Sequence, residues 1–194
     1  MTIPVLFIAY PKMFNCKAKF SRKVDNLTSN LELFEIAYIT DEQDLVANYT
    51  CSNKKVSSII KADDIEDIGS IDYAVVFSDH DSLEPLVTSL KSQGVKLRIV
   101  DTPITHVVNI DKADEYDEYI GRGSLWGNPF PLGISGDRDE VINTYAYHLS
   151  RGFLKFTYDD LVKLRGKTLG CHCKPAACHG DVLAKYLNEF DDGL

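Results

Sequence analysis

The sequence predicts an α/β fold of the Rossmann-like kind, a mainly parallel sheet with helices on both faces. Three observations lead there. Short apolar runs of strand length recur at residues 5–10, 33–40, 73–77, 95–100, 106–110 and 167–173. Segments with apolar residues three and four apart stand between several of them, the spacing of a helix face. The connections are short, and strand, helix and strand joined by short connections force parallel pairing with a right-handed crossover.

Each element has its own reason. Residues 5–10 are apolar and end at Pro11, which cannot continue a ladder. The clearest unit spans residues 73–100. A strand over 73–77 meets a polar loop, Ser78-Asp79-His80-Asp81, and a helix begins near Ser82. Leu83, Leu86, Val87 and Leu90 form one helix face, Gly94 stands where a helix stops, and residues 95–100 return as a strand. In the second half, residues 106–110 read as a strand that residues 118–121 extend or pair. Asp137 with Glu140 three residues on is a capping-box start for a helix buried through Val141, Ile142, Tyr145 and Leu149 and ended by Gly152. A shorter helix covers about 158–165 and stops at Gly166. A strand over 167–173 leads to a last helix over 178–190, with Val182, Leu183, Tyr186, Leu187 and Phe190 on one side.

The organisation expected is a Rossmann-like half over residues 1–104 and a second domain over 105–194, packed as one compact unit. With 194 residues, 44% hydrophobic and 26% charged, the chain is long and apolar enough for a core. Apolar runs are too short to span a membrane, and residues 1–4 lack a signal-peptide lead, so a soluble, cytoplasmic chain without membrane association is expected. A net charge of −8 argues against charge-driven DNA binding. Five cysteines, an odd number, do not read as a disulfide framework in such a setting.

In open α/β sheets ligands sit beyond the carboxyl ends of strands, so the segments after each strand are the candidate sites. Residues 11–23 carry five cations and no acid, interleaved with Phe14 and Phe20. This reads as a solvated helix face with two core aromatics, in preference to a phosphate or single-strand-binding edge. The segment has neither a glycine-rich dinucleotide loop nor a Walker-type phosphate loop. His80 between Asp79 and Asp81 reads as a helix cap with surface charge in preference to a general base or metal site. The loop from Arg122 through Trp126, Asn128 and Phe130 reads as a site. Arg122 can pair with phosphate or carboxylate, Trp126, the single tryptophan, can stack on a base, and Asn128 can hydrogen-bond a ligand. The last candidate is the turn holding Cys171, Cys173, Cys178, His179, Gly180 and Asp181. Three readings stay open there. The cysteines line a pocket whose anion sits on the helix N-terminus; or Cys171, Cys173, Cys178 and His179 bind zinc; or Cys178 is a thiolate nucleophile assisted by His179 or Asp181. Against zinc stands the spacing: adjacent Cys178 and His179 do not easily face one ion, and His172 would point to the opposite side of a strand from Cys171 and Cys173.

The run Val107-Val108-Asn109-Ile110, Tyr119-Ile120-Gly121-Arg122, Trp126-Gly127-Asn128-Pro129-Phe130, Arg138, Leu169-Gly170-Cys171-His172-Cys173-Lys174-Pro175 and Cys178-His179-Gly180-Asp181-Val182-Leu183 resembles an uncharacterised bacterial and phage family, domain of unknown function 4326, over about residues 105–190. His172 stands where that family usually has tryptophan. The turn is also similar to a second uncharacterised family with a Cys, Pro and Cys-His-Arg signature. The resemblance implies a shared site built from the 122–130 loop and the 171–181 turn, and a phage or mobile-element origin.

The function expected is binding of a nucleotide or nucleobase-sugar compound, with N-glycosidic bond hydrolysis or sugar transfer as the chemistry. Asp181 would be the general acid/base, with Cys178 and His179 beside it. Arg122, Trp126, Asn128, Cys171, Cys173 and Gly180 would bind the ligand. The alternative is a non-enzymatic, zinc-stabilised module for a host protein or nucleic acid, contacting it through the acidic stretches 63–67 and 111–118.

Overall fold

The computed structural model describes residues 3–112 and 115–193. Asp114, in the second acidic stretch, lies outside the described residues. The chain forms two compact units. The first runs up to Thr102 and takes back the chain from Asp191, and the second is Pro103–Phe190.

The first unit holds a five-stranded sheet in the order β3-β2-β1-β4-β5, parallel throughout. Its strands are β1 (Val5–Ala9), β2 (Phe34–Tyr38), β3 (Val56–Lys61), β4 (Tyr73–Ser78) and β5 (Lys96–Asp101). Helices α1 (Lys17–Leu27), α2 (Leu45–Ser52) and α3 (Glu84–Ser92) connect them, with a 3-10 turn at Ile65–Ile68 between β3 and β4. Strand order reverses at β1, so right-handed crossovers send α1 and α2 to one face and α3 to the other. Alternation along the strands serves both layers. Phe7, Ala74 and Val76 pack with Val87 and Leu90 of α3 and with Ile65 and Ile68 of the 3-10 turn. On the other face Phe77 is stacked between Phe14 and Phe20, at ring distances of 5.0 and 5.3 Å.

Those contacts settle the basic segment. Phe14 and Phe20 are core residues, not stacking platforms for bases. Lys19 is buried, and its ammonium donates to the Asp101 carbonyl at 2.9 Å and the Asp192 carboxylate at 2.8 Å. Arg22 pairs with Asp191 at 2.6 Å. Two of the five cations therefore fasten Asp191 and Asp192 to α1. Asp79 accepts from the backbone N–H of Ser82 at 3.0 Å and its hydroxyl at 2.8 Å, and exposed His80 meets Asp101 at 2.9 Å, so the surface charge is as expected but the helix cap is not: α3 starts later, after Leu83, without a side-chain cap, and Asp79 closes the turn before it.

The second unit is a three-stranded parallel sheet, β6-β8-β7, from β6 (His106–Asn109), β7 (Glu118–Tyr119) and β8 (Thr168–Cys171). Helices α4 (Arg138–Ser150), α5 (Tyr158–Val162) and α6 (His179–Asn188) complete it. The Asp137–Glu140 capping box is present, with the Glu140 N–H on Asp137 at 2.9 Å and the Asp137 N–H on Glu140 at 2.8 Å. The core gathers Ile120, Tyr145, Leu161, Leu164, Leu169, Leu183 and Leu187. Three details differ from the sequence reading. β8 ends at Cys171, not 173, because Asn109 reaches over from β6 and donates its amide to the carbonyls of His172 and Lys174, holding the chain in a turn. Tyr186 on α6 is 38% exposed rather than part of the buried side. α2 and β3 were not foreseen. Among the described residues no helix is long and apolar enough to cross a membrane.

Candidate functional site

The carboxyl ends of β8 and β7 open onto a cavity of about 320 Å³ in the second unit. Four segments build it. Cys171 ends β8, and His172 and Cys173 follow in the turn. Gly121 and Arg122 follow β7. Ala177, Cys178 and His179 lead into α6. Arg138, Val141 and Ile142 come from the start of α4, and Asn128, Phe130 and Leu132 from the loop before it. A second cavity of about 620 Å³ shares Arg122, Asn128 and Phe130 and extends toward His148, Phe153 and Phe156.

The floor is sulfur and imidazole. Cys171, Cys178 and His179 are buried, and one ligand atom from each lies within 4.8 Å of the others. Adjacency does not separate Cys178 from His179. Cys178 caps the helix in an extended conformation (φ −153°, ψ 174°) while His179 is its first helical residue, so the two side chains converge. The carbonyl of Ile120 can only accept, so its 2.8 Å contact makes His179 Nε2 the protonated nitrogen and leaves the lone pair on Nδ1. Tyr145 packs edge-on to the imidazole at 5.1 Å. The sulfurs of Cys171 and Cys178 share a hydrogen bond, which draws the Cys171 thiol below the ordinary cysteine range and, with burial, pushes Cys178 above it. Cys173 stands aside from this trio, half-buried, its sulfur in contact with Cys171 and the Arg138 guanidinium.

The rim is cationic. Arg122 is exposed and makes no ion pair among the described residues. Arg138 donates to the Ala177 carbonyl at 3.0 Å, which places it over the entry to α6. No carboxylate lines this cavity among the described residues.

Several expected site residues have other work. Trp126 is a core residue. Its ring lies tilted on Phe156 at 4.8 Å, its Nε1–H donates to Glu118 at 2.9 Å, and it lines neither cavity, so it has no face to offer a base. Asn128 borders both cavities, but its carbonyl oxygen accepts the Phe130 N–H at 2.9 Å and its amide donates to the Val141 carbonyl, so it shapes the loop. Gly180 lies under the site, where a Cβ would come within 2.6 Å of Ile120 Cδ1 and 3.0 Å of Val107 Cγ1; close packing, not ligand approach, demands glycine. Asp181 is absent from the lining. Its carboxylate accepts the Cys178 N–H at 2.9 Å and pairs with the Lys174 ammonium. His172 is not turned away as strand alternation implied. The strand has already ended, so it borders the cavity, hydrogen-bonded to Asp111 at 3.0 Å and edge-on to Tyr119. The acidic stretch beside it is partly internal: Glu118 serves Trp126, and Asp117 accepts the Thr168 N–H at 2.7 Å.

Arg138 is the residue that site reasoning passed over. Its signal was its place in the motif run that carries the family resemblance, together with the 122–130 loop and the 171–181 turn. Val141 and Ile142, read only as a buried helix stripe, also wall the cavity, with Phe130 of the site loop beside them.

Residues 3–108 match the minimal SLOG domain, and residues 107–189 match the domain of unknown function DUF4326. An uncharacterised 12.4 kDa protein from the nrdA-td intergenic region of Enterobacteria phage T4 is 38% identical over 89 residues, covering 45% of this chain and 81% of that protein. No solved structure matches the chain. The chain therefore belongs to the minimal SLOG domain family, and its second half carries the resemblance to DUF4326 that the YIGR, WGNPF and cysteine–histidine motifs predicted.

Proposed function

We propose that the second unit binds an anionic, ring-bearing small molecule of the nucleotide type. The observation that carries this reading is the pairing of two guanidiniums, Arg122 and Arg138, with an apolar wall of Phe130, Leu132, Val141 and Ile142 around a cavity without a carboxylate. Guanidinium groups bind phosphate oxygens in a planar, two-pronged way, and the apolar wall suits a base or sugar face. The phage relative fits a small phage protein.

N-glycosidic hydrolysis and sugar transfer through Asp181 lose their support, because that chemistry needs a carboxylate at the reacting carbon. Asp181 becomes a positioning residue for the turn. Of the three expected catalytic residues, Cys178 and His179 remain at the cavity.

The test is a panel of nucleoside mono-, di- and triphosphates, nucleotide sugars and free nucleosides, read by thermal shift and then calorimetry. Phosphorylated members should bind and nucleosides should not, and the Arg122→Ala/Arg138→Ala double variant should lose binding. Equal response to nucleosides, or binding unchanged in the double variant, would refute the assignment. Silence across the panel with capture of a host macromolecule would favour the binding-module alternative.

A further inference from the structure

We infer that Cys171, Cys178 and His179 form a zinc site with three protein ligands and one coordination position open to the cavity. The assignment stands on the geometry of the trio and does not need the nucleotide reading.

Four observations support it. The ligand atoms of the three residues lie within 4.8 Å of one another, and all three residues are buried. Tetrahedral zinc with thiolate and imidazole ligands needs separations of about 3.5–3.8 Å, so a small closing movement suffices. His179 has the tautomer a ligand requires. Nε2–H is spent on the Ile120 carbonyl at 2.8 Å, and the lone pair remains on Nδ1. A ligating histidine typically donates its other N–H to a carbonyl or carboxylate, which fixes the ring and raises its basicity. The sulfurs of Cys171 and Cys178 already meet in a hydrogen bond, a contact that a divalent cation bridging the two can replace. Finally, all three residues face a cavity of about 320 Å³, so an ion there would be reached from solvent.

The expected four-residue set narrows to three. Cys173 falls outside the convergent trio and engages Arg138, so the fourth position would be filled by water or a ligand atom. Three protein ligands with an open place are the arrangement of catalytic zinc, whereas structural zinc is closed by four. Softness selects the ion. Two thiolates and an imidazole favour zinc over magnesium or calcium.

The experiment uses the full chain, untagged and purified without chelator under reducing conditions. Elemental mass spectrometry should give about one zinc per chain. Cys171→Ser, Cys178→Ser and His179→Ala should each lose most of it, while Cys173→Ser should keep it. Because a core variant can fail to fold, a second measurement uses the wild-type chain alone. Cobalt(II) is titrated into zinc-stripped protein, and thiol alkylation is mapped by mass spectrometry. Cobalt should give tetrahedral d–d bands with thiolate charge transfer and should shield Cys171 and Cys178, leaving exposed Cys51 reactive as the internal control. Absence of zinc together with absence of cobalt uptake overturns the site. Loss of metal in Cys173→Ser overturns the open position. Nucleotide binding that persists in zinc-stripped protein separates this result from the reading of the arginine rim.

Discussion

The carboxylate of Asp181 accepts the backbone N–H of Cys178 at 2.9 Å, so it closes the start of α6 while the sulfur of Cys178 faces the cavity. This divides one helix terminus between scaffold and site. Asp181→Ala should lower unfolding stability by about 0.5–2 kcal/mol, the usual worth of a side-chain cap. Affinity for a phosphorylated ligand should change much less than in Arg122→Ala. Urea denaturation followed by Trp126 fluorescence, beside calorimetry, separates the two effects. A collapse of binding with stability intact would return Asp181 to the chemistry.

Gly180 gives a packing prediction. A methyl group there meets Ile120 Cδ1 at 2.6 Å in a fully buried setting. Gly180→Ala should cost about 1–3 kcal/mol, as overpacking of a core does. Adding Ile120→Val removes the clashing methyl, so the double variant should be more stable than additivity predicts. A double-variant cycle measures the coupling, and zero coupling would place the constraint elsewhere.

Trp126 should report on stability, not on ligand. Trp126→Phe keeps a ring against Phe156 but gives up the donor to Glu118. The variant should lose about 1–3 kcal/mol through the lost hydrogen bond and ring area. Nucleotide affinity should stay within about threefold of the wild type, a difference under 1 kcal/mol. Affinity lost in proportion to that of Arg122→Ala would make the indole part of the site after all.

The first unit should weaken in alkali. Burial, with Asp41 and Asp25 beside them, holds the Tyr10 and Tyr49 hydroxyls well above the ordinary value of 10.0. The folded state therefore favours the protonated phenol. Stability from these groups is complete below the ordinary value and falls as pH rises above it. Phenolate absorbance should show a late-titrating class that appears with unfolding. Tyr49→Phe should shrink that class, costing about 1 kcal/mol at neutral pH for the lost hydrogen bond, and less above pH 10. Titration of every tyrosine near the ordinary value, without unfolding, would contradict this.

How far the sequence reached depends on what each residue type reports. Apolar runs exposed β1 and β4, which are buried on both faces, and β5 beside β4, while periodicity exposed α3, α4 and α6, which each bury one face. It missed β3, where Val56–Lys61 forms a sheet edge with four exposed positions and a register shift opposite Phe34 and Glu35. It missed α2, which follows Asp44 in a left-handed conformation (φ 54°) without a side-chain cap. At the site, spacing and motif singled out Cys171, Cys178, His179 and Arg122, all of which border the cavity. Type alone misled for Trp126 and Asp181, since an indole serves a core as well as a base, and a carboxylate caps a helix as readily as it moves a proton. The convergence of Cys178 with His179 depends on the extended backbone at the cap, which no spacing rule records.

The sulfur and imidazole groups of the cavity floor come from one short stretch of chain, whereas its cationic and apolar rim comes from the loop after β7 and the first turn of α4. Under the proposed reading, reactivity and selectivity are thus written in separate parts of the sequence. Exchanging residues 122–142 between relatives should then change which molecule is admitted while leaving what awaits it untouched, one loop at a time.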